Sequence, residues 1–131
     1  MKKDSVLGKL FSGFKKQRLQ SAESVLAAEE SMKNIQNSFG ILNEKTKNIE
    51  DKYPEQKKQI NEYYEQVMAI APSVSVRAGK FEQALAQEIT KVSSLCDQIF
   101  VSDDVKVFDS ELKMLGRFIR ERQNADIEQD E

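Results

Sequence analysis

The sequence predicts an all-α protein: an elongated antiparallel bundle of three to four helices, with coiled-coil character and a long first helix. Three observations lead there. Apolar residues recur alternately every three and four positions over long stretches, the period of one helix face. Only 5 Gly and 2 Pro interrupt 131 residues, so few helix breakers are present. Lys, Glu, Gln, Ala and Leu are abundant among the residues between the apolar positions, and these are good helix formers.

The first helix carries the clearest pattern. Val25, Ala28, Met32, Ile35, Phe39, Leu42, Thr46, Ile49 and Tyr53 form one seam, in which only Thr46 is clearly polar. A stripe this narrow resembles a coiled-coil seam, so Val25, Met32, Ile35, Phe39, Leu42 and Ile49 are its candidate contact residues. Gly40 lies inside it at a cost of about 1 kcal/mol relative to Ala. The phase is unchanged across the glycine, so the helix is expected to continue. At 1.5 Å per residue, 18–52 would span about 50 Å.

Extended backwards, the seam meets Ser21, Arg18, Phe14, Phe11 and Leu7. Arg18 and Ser21 open a polar gap that separates an N-terminal segment, 1–17, from the bundle proper, 18–122. On a helical wheel Val6, Leu7, Leu10, Phe11 and Phe14 gather on one side, bordered by Lys9, Lys15, Lys16 and Arg18. That composition suits a helix lying on an anionic membrane surface or docking in a partner's groove. These nine residues are the candidate external contacts.

Tyr53-Pro54 marks a boundary, because a residue before proline is pushed out of helical angles and proline suits a helix's first turn. The second helix carries Ile60, Tyr63, Tyr64, Val67, Ile70 and Ala71 and is expected to end or kink at Pro72. Of the two tyrosines, one ring is expected in the core and the other at its margin. "PSVSVRAGK" has no strand partner and reads as a loop or kink. A third helix, about Arg77 to Phe100, has Phe81, Ala84, Leu85, Ile89, Val92, Leu95, Cys96 and Ile99 on its face. Ser102 or Asp103 is the expected N-cap of a fourth, with Val105, Phe108, Leu112, Leu115, Phe118 and Ile119 inward and an end near Arg122. Helices two and three are expected to form one kinked arm antiparallel to the first, with the fourth turning back along the third. The acidic remainder, 123–131, is expected to be disordered.

Much chemistry is excluded. The chain has no histidine, which removes Ser-His-Asp and Cys-His mechanisms and Glu-x-x-His di-metal sites. "GKLFSGFK" fails as a phosphate loop because Phe14, not Lys, follows Gly13 and no Ser or Thr closes it. "AGKF" fails because Val74 stands where the first glycine should be and Phe81 where Ser or Thr should be. The single Cys96 allows no intrachain disulfide and, on an apolar face, reads as a buried hydrophobe. Adjacent carboxylates such as Glu29-Glu30 and Asp103-Asp104 point in different directions on a helix and read as solvated. No cofactor and no metal site is expected.

Charge separates the two ends. Lys2, Lys3, Lys9, Lys15, Lys16 and Arg18 against Asp4 give residues 1–20 a balance of +5. Glu121, Asp126, Glu128, Asp130 and Glu131 against Arg122 give 121–131 a balance of −4. The formal net charge is −2. Lys113, Arg117, Arg120 and Arg122 near the end of helix four favour the helix dipole, and nucleic acid is not an expected partner. No signal peptide and no apolar run of about 20 residues is present. The expectation is a cytoplasmic, non-enzymatic interaction module, an adaptor or scaffold with an unidentified protein partner and a seam suited to a homodimer. The alternative is a peripheral protein anchored to an anionic membrane by its N-terminal segment.

Overall fold

The computed structural model describes the backbone of residues 6–125 and the side chains of residues 22–125. The described chain is all helical, with no strand. The order is α1 (Val6–Lys45), a 3-10 turn (Thr46–Asn48), α2 (Pro54–Met68), α3 (Val76–Ser102) and α4 (Val105–Gln123).

α1 is one helix of 40 residues, about 60 Å long, and it passes through Gly40 without a break. It ends eight residues short of Tyr53. Thr46, fully buried, starts the 3-10 turn and donates from Oγ1 to the carbonyl of Asn43 at 2.5 Å. That bond satisfies one of the carbonyls a helix leaves unpaired at its C-terminus. Ile49 and Tyr53 remain buried after the turn, so the apolar spacing outlasts the helix that carries it. Pro54 occupies the first turn of α2 as its fixed φ favours.

α2 ends at Met68, short of Pro72. Gln36 of α1 stands in for the missing turn, donating from Nε2 to the carbonyls of Val67 at 3.2 Å and Ile70 at 3.5 Å. The stretch expected as a loop is one as far as Ser75. There the side chain accepts from the Ala78 amide at 2.9 Å and caps α3. The cap of α4 falls later than expected. Asp103 takes the left-handed conformation (φ 53°) that closes α3, and Asp104 is the N-cap, accepting from the Val107 amide at 3.3 Å. α4 runs on to Gln123, and Ala125 is buried. Residues 123–125 of the expected tail therefore belong to the packed chain, and 126–131 lies outside the described residues.

Side-chain ties fix the direction of each helix. Asn43 of α1 meets Asn61 of α2 at 3.3 Å while Gln36 meets Val67, so these helices are antiparallel. Ser31 meets Glu82 at 2.6 Å and Lys45 meets Ser93 at 2.6 Å, so α1 and α3 are parallel. The expected arm of helices two and three is thus absent: the 69–75 connection reverses the chain and carries α3 across the bundle. Lys91 faces Glu111 at 3.8 Å and Glu82 faces Arg122 at 2.6 Å, making α3 and α4 antiparallel as expected. The packed pairs α1/α2, α1/α3, α3/α4 and α2/α4 close a ring, with α1 diagonal to α4.

The core lies along the centre of this ring. Ala28, Met32, Ile35, Phe39 and Leu42 enter from α1. Ile60 and Val67 come from α2, Leu85, Ile89, Val92, Cys96 and Ile99 from α3, and Phe108, Leu112, Leu115 and Ile119 from α4. Both tyrosines lie at the margin of the core, where one ring was expected inside it. Both are half-buried. Tyr64 leans to α1, its ring 6.2 Å from that of Phe39, while Tyr63 leans to α4 at Gly116. Adjacent helix positions point about 100° apart, so one dipeptide reaches both neighbours.

Candidate functional site

The buried seam thins out towards the N-terminus of α1 while the helix continues. Ala28, 8% exposed, is the first buried side chain among those described. Before it, Val25 is 42% and Leu26 66% exposed. Val25 therefore lies outside the packed seam, whereas Met32, Ile35, Phe39, Leu42 and Ile49 are buried within this chain. The last five are consumed by the bundle and are not free to pair with a second copy while it stays closed. Val6, Leu7, Lys9, Leu10, Phe11, Phe14, Lys15, Lys16 and Arg18 all lie on the α1 backbone, and their side chains lie outside the described residues.

Immediately below that end is a polar knot which the sequence reading did not find. Arg122 and Glu82, with side chains 2% and 3% exposed, pair at 2.6 Å from Nε to Oε2. Ser31 donates to the other oxygen of Glu82 at 2.6 Å. Arg122 Nη2 donates to the carbonyl of Ala71 at 2.9 Å. Four parts of the chain, α1, the 69–75 connection, α3 and α4, are tied through these groups. The knot ties α1 to the rest of the bundle at Ser31.

The opposite end has its own cluster. Tyr53 Oη donates to Asp103 Oδ1, and Lys52 Nζ lies 3.5 Å from the same oxygen. The Tyr53 bond, and then the Lys52 charge, hold the Asp103 carboxyl below its ordinary range. The same bond pushes the Tyr53 phenol up. This cluster joins the start of α2 to the end of α3.

The remaining candidates resolve into structural roles. Cys96 is buried in the core, and burial pushes its thiol up to about 11. Of the basic residues of α4, Lys113, Arg117 and Arg120 are exposed, Arg117 lies 3.5 Å from Glu121, and Arg122 is inside the knot. Shallow grooves of about 260 Å³ between α2 and α4 and about 250 Å³ between α1 and α3 are lined mainly by polar residues, among them Gln56, Asp109, Ser93 and Asp97. Among the described residues no three His, Cys, Asp or Glu side chains gather as metal ligands, and no helix is long and apolar enough to cross a membrane. Comparison with protein-family models, curated proteins and solved structures finds no match to this chain.

Proposed function

We propose that this chain is a non-enzymatic helical interaction module, an adaptor or scaffold of the cytoplasm, whose N-terminal stretch of α1 engages a protein partner. One observation carries the reading: α1 continues to Val6, and among the described side chains its buried seam begins at Ala28. Val25 and Leu26 are exposed on that stretch, and the sequence continues with Phe14, Phe11, Leu10, Leu7 and Val6 on one side of the helix. A long helix with apolar residues outside its own core, as Val25 and Leu26 are, gains most by laying that side in a groove or against another helix in coiled-coil fashion. A second copy of the chain is one such helix.

The +5 balance of residues 1–20 favours a second reading, in which the same stretch lies on an anionic membrane. One experiment separates the two. The full chain and a Phe11→Glu/Phe14→Glu variant are compared in light scattering and in co-sedimentation with phosphatidylserine-containing vesicles. The module reading expects no sedimentation and a partner or dimer lost in the variant. Vesicle binding that weakens with salt and is lost in the variant favours the membrane. If the variant matches the parent in both assays and in partner capture, the segment is not a contact surface.

A further inference from the structure

Glu88 of α3 is a buried carboxylate, its side chain 5% exposed. Glu111 of α4 faces it across the helix interface and is partly buried. Lys91 lies 4.0 Å from Glu88 and 3.8 Å from Glu111, each measured from Nζ to Oε1. Glu88 Oε2 and Glu111 Oε1 are both shielded from solvent, and neither has a hydrogen-bond partner. Two ionised carboxylates in this position leave two buried acceptors unsatisfied and repel one another. A single proton removes both difficulties. It makes one oxygen a donor to the other and leaves one negative charge beside Lys91.

We infer that Glu88 and Glu111 bind one proton between them, and that this carboxyl–carboxylate pair is a pH-sensitive clasp holding α4 on α3. The clasp is closed while the proton is present and loosens when it leaves.

The surroundings place its release in the neutral range. Burial first, then the neighbouring Glu111 carboxyl, push Glu88 up to about 7, with Lys91 pulling the other way. The value belongs to the pair as a unit. Several charged groups on the packed elements have partners of their own apart from it. On α1, Lys45 is bound to Ser93 and Asp97. On α4, Arg122 is bound to Glu82 and Arg117 lies beside Glu121. On α2, Gln56 binds Asp109, on the α4 face it covers.

The sign follows from linkage. The folded pair holds its proton up to about 7, whereas a glutamate in the unfolded chain loses it near 4.3. Stability from the clasp is therefore full below about pH 4.3 and is lost progressively as pH rises from there through about 7.

The test uses the full chain. Carbon-13 NMR of the glutamate carboxyls is expected to show Glu88 titrating near 7. Urea unfolding at pH 5 and pH 8 is expected to show the unfolding constant rising on the order of a hundredfold between them. In Glu88→Gln, whose amide donates permanently, that rise is expected to shrink to a few-fold, and Glu111→Gln provides the same check should the first variant fold poorly. Titration of Glu88 in the ordinary carboxylate range overturns the clasp. So does an unchanged pH response in both variants. Millimolar Ca²⁺ or Mg²⁺ at pH 8 discriminates a metal from a proton. Stabilisation of the parent but not of Glu88→Gln overturns the proton, and the absence of any effect supports it.

Discussion

The phenol ring of Tyr63 occupies the space beside Gly116 that a side chain would need. A Cβ at Gly116 would stand 2.8 Å from Tyr63 Cζ and closer still to its hydroxyl. The glycine is what lets α2 and α4 approach at this level, and burial against α4 pushes the Tyr63 phenol up. Gly116→Ala is expected to destabilise the chain by about 1–3 kcal/mol through overpacking, despite the better helix propensity of alanine. Urea titration checks it. Combining it with Tyr63→Ala is expected to cost less than the sum of the two, since the clash disappears with the ring.

Gly40 is the contrasting case. An added Cβ there would lie 3.6 Å from Tyr64, an ordinary contact. Gly40→Ala is expected to raise stability by up to about 1 kcal/mol, read as a higher midpoint in the same titration.

Removing one partner of the buried knot strands the other. Arg122→Met leaves Glu82 inside the bundle with Ser31 alone, and a loss of about 3–5 kcal/mol is expected. Replacing both, Arg122→Met with Glu82→Met, is expected to recover most of it. Recovery in the double variant, measured by thermal and urea unfolding, separates charge burial from a simple packing defect.

The Tyr53–Asp103 bond sets an acid limit. The folded state holds the Asp103 carboxyl below its ordinary range, so its stabilising contribution is present above about pH 4 and is lost as pH falls through the folded value. Tyr53→Phe removes the largest cause of that depression. The expected result is an Asp103 titration moved back upward by NMR and acid unfolding that begins at higher pH.

Cys96 is expected to be inert in the folded chain. With its thiol pushed up to about 11, the thiolate fraction at pH 8 is roughly a hundredfold below that of a free cysteine. Alkylation by iodoacetamide should be slow in buffer and fast in urea.

Helices, their order and the Pro54 boundary were legible because apolar spacing and breakers act locally. The direction of α3 relative to α1 was not, because the 69–75 connection has no local signal for the side of the bundle to which it carries α3. The polar gap at Arg18 and Ser21 lies outside the described side chains, among which burial on α1 starts at Ala28. Glu82 and Arg122 were missed despite a usable signal. Each stands in phase with a buried series, Glu82 between Ala78 and Leu85 and Arg122 after Leu115 and Ile119. Opposite charges at two in-phase positions on neighbouring helices are the trace of a buried pair. Glu88 and Glu111 are in phase as well, Glu88 between Leu85 and Val92 and Glu111 between Phe108 and Leu115, but two like charges give no sign of a pairing.

The parallel pairing of α1 with α3 has a consequence for the growing polypeptide. Ser31 waits 51 residues for Glu82, and Lys45 waits 52 for Asp97. Closing such long loops costs entropy before any contact repays it. Local hairpins, α1 with α2 and α3 with α4, are the affordable early steps, and docking of one on the other comes last. Until the ribosome has released α3, the oily flank of α1 has only half its eventual cover, which is the interval in which a chaperone would find it.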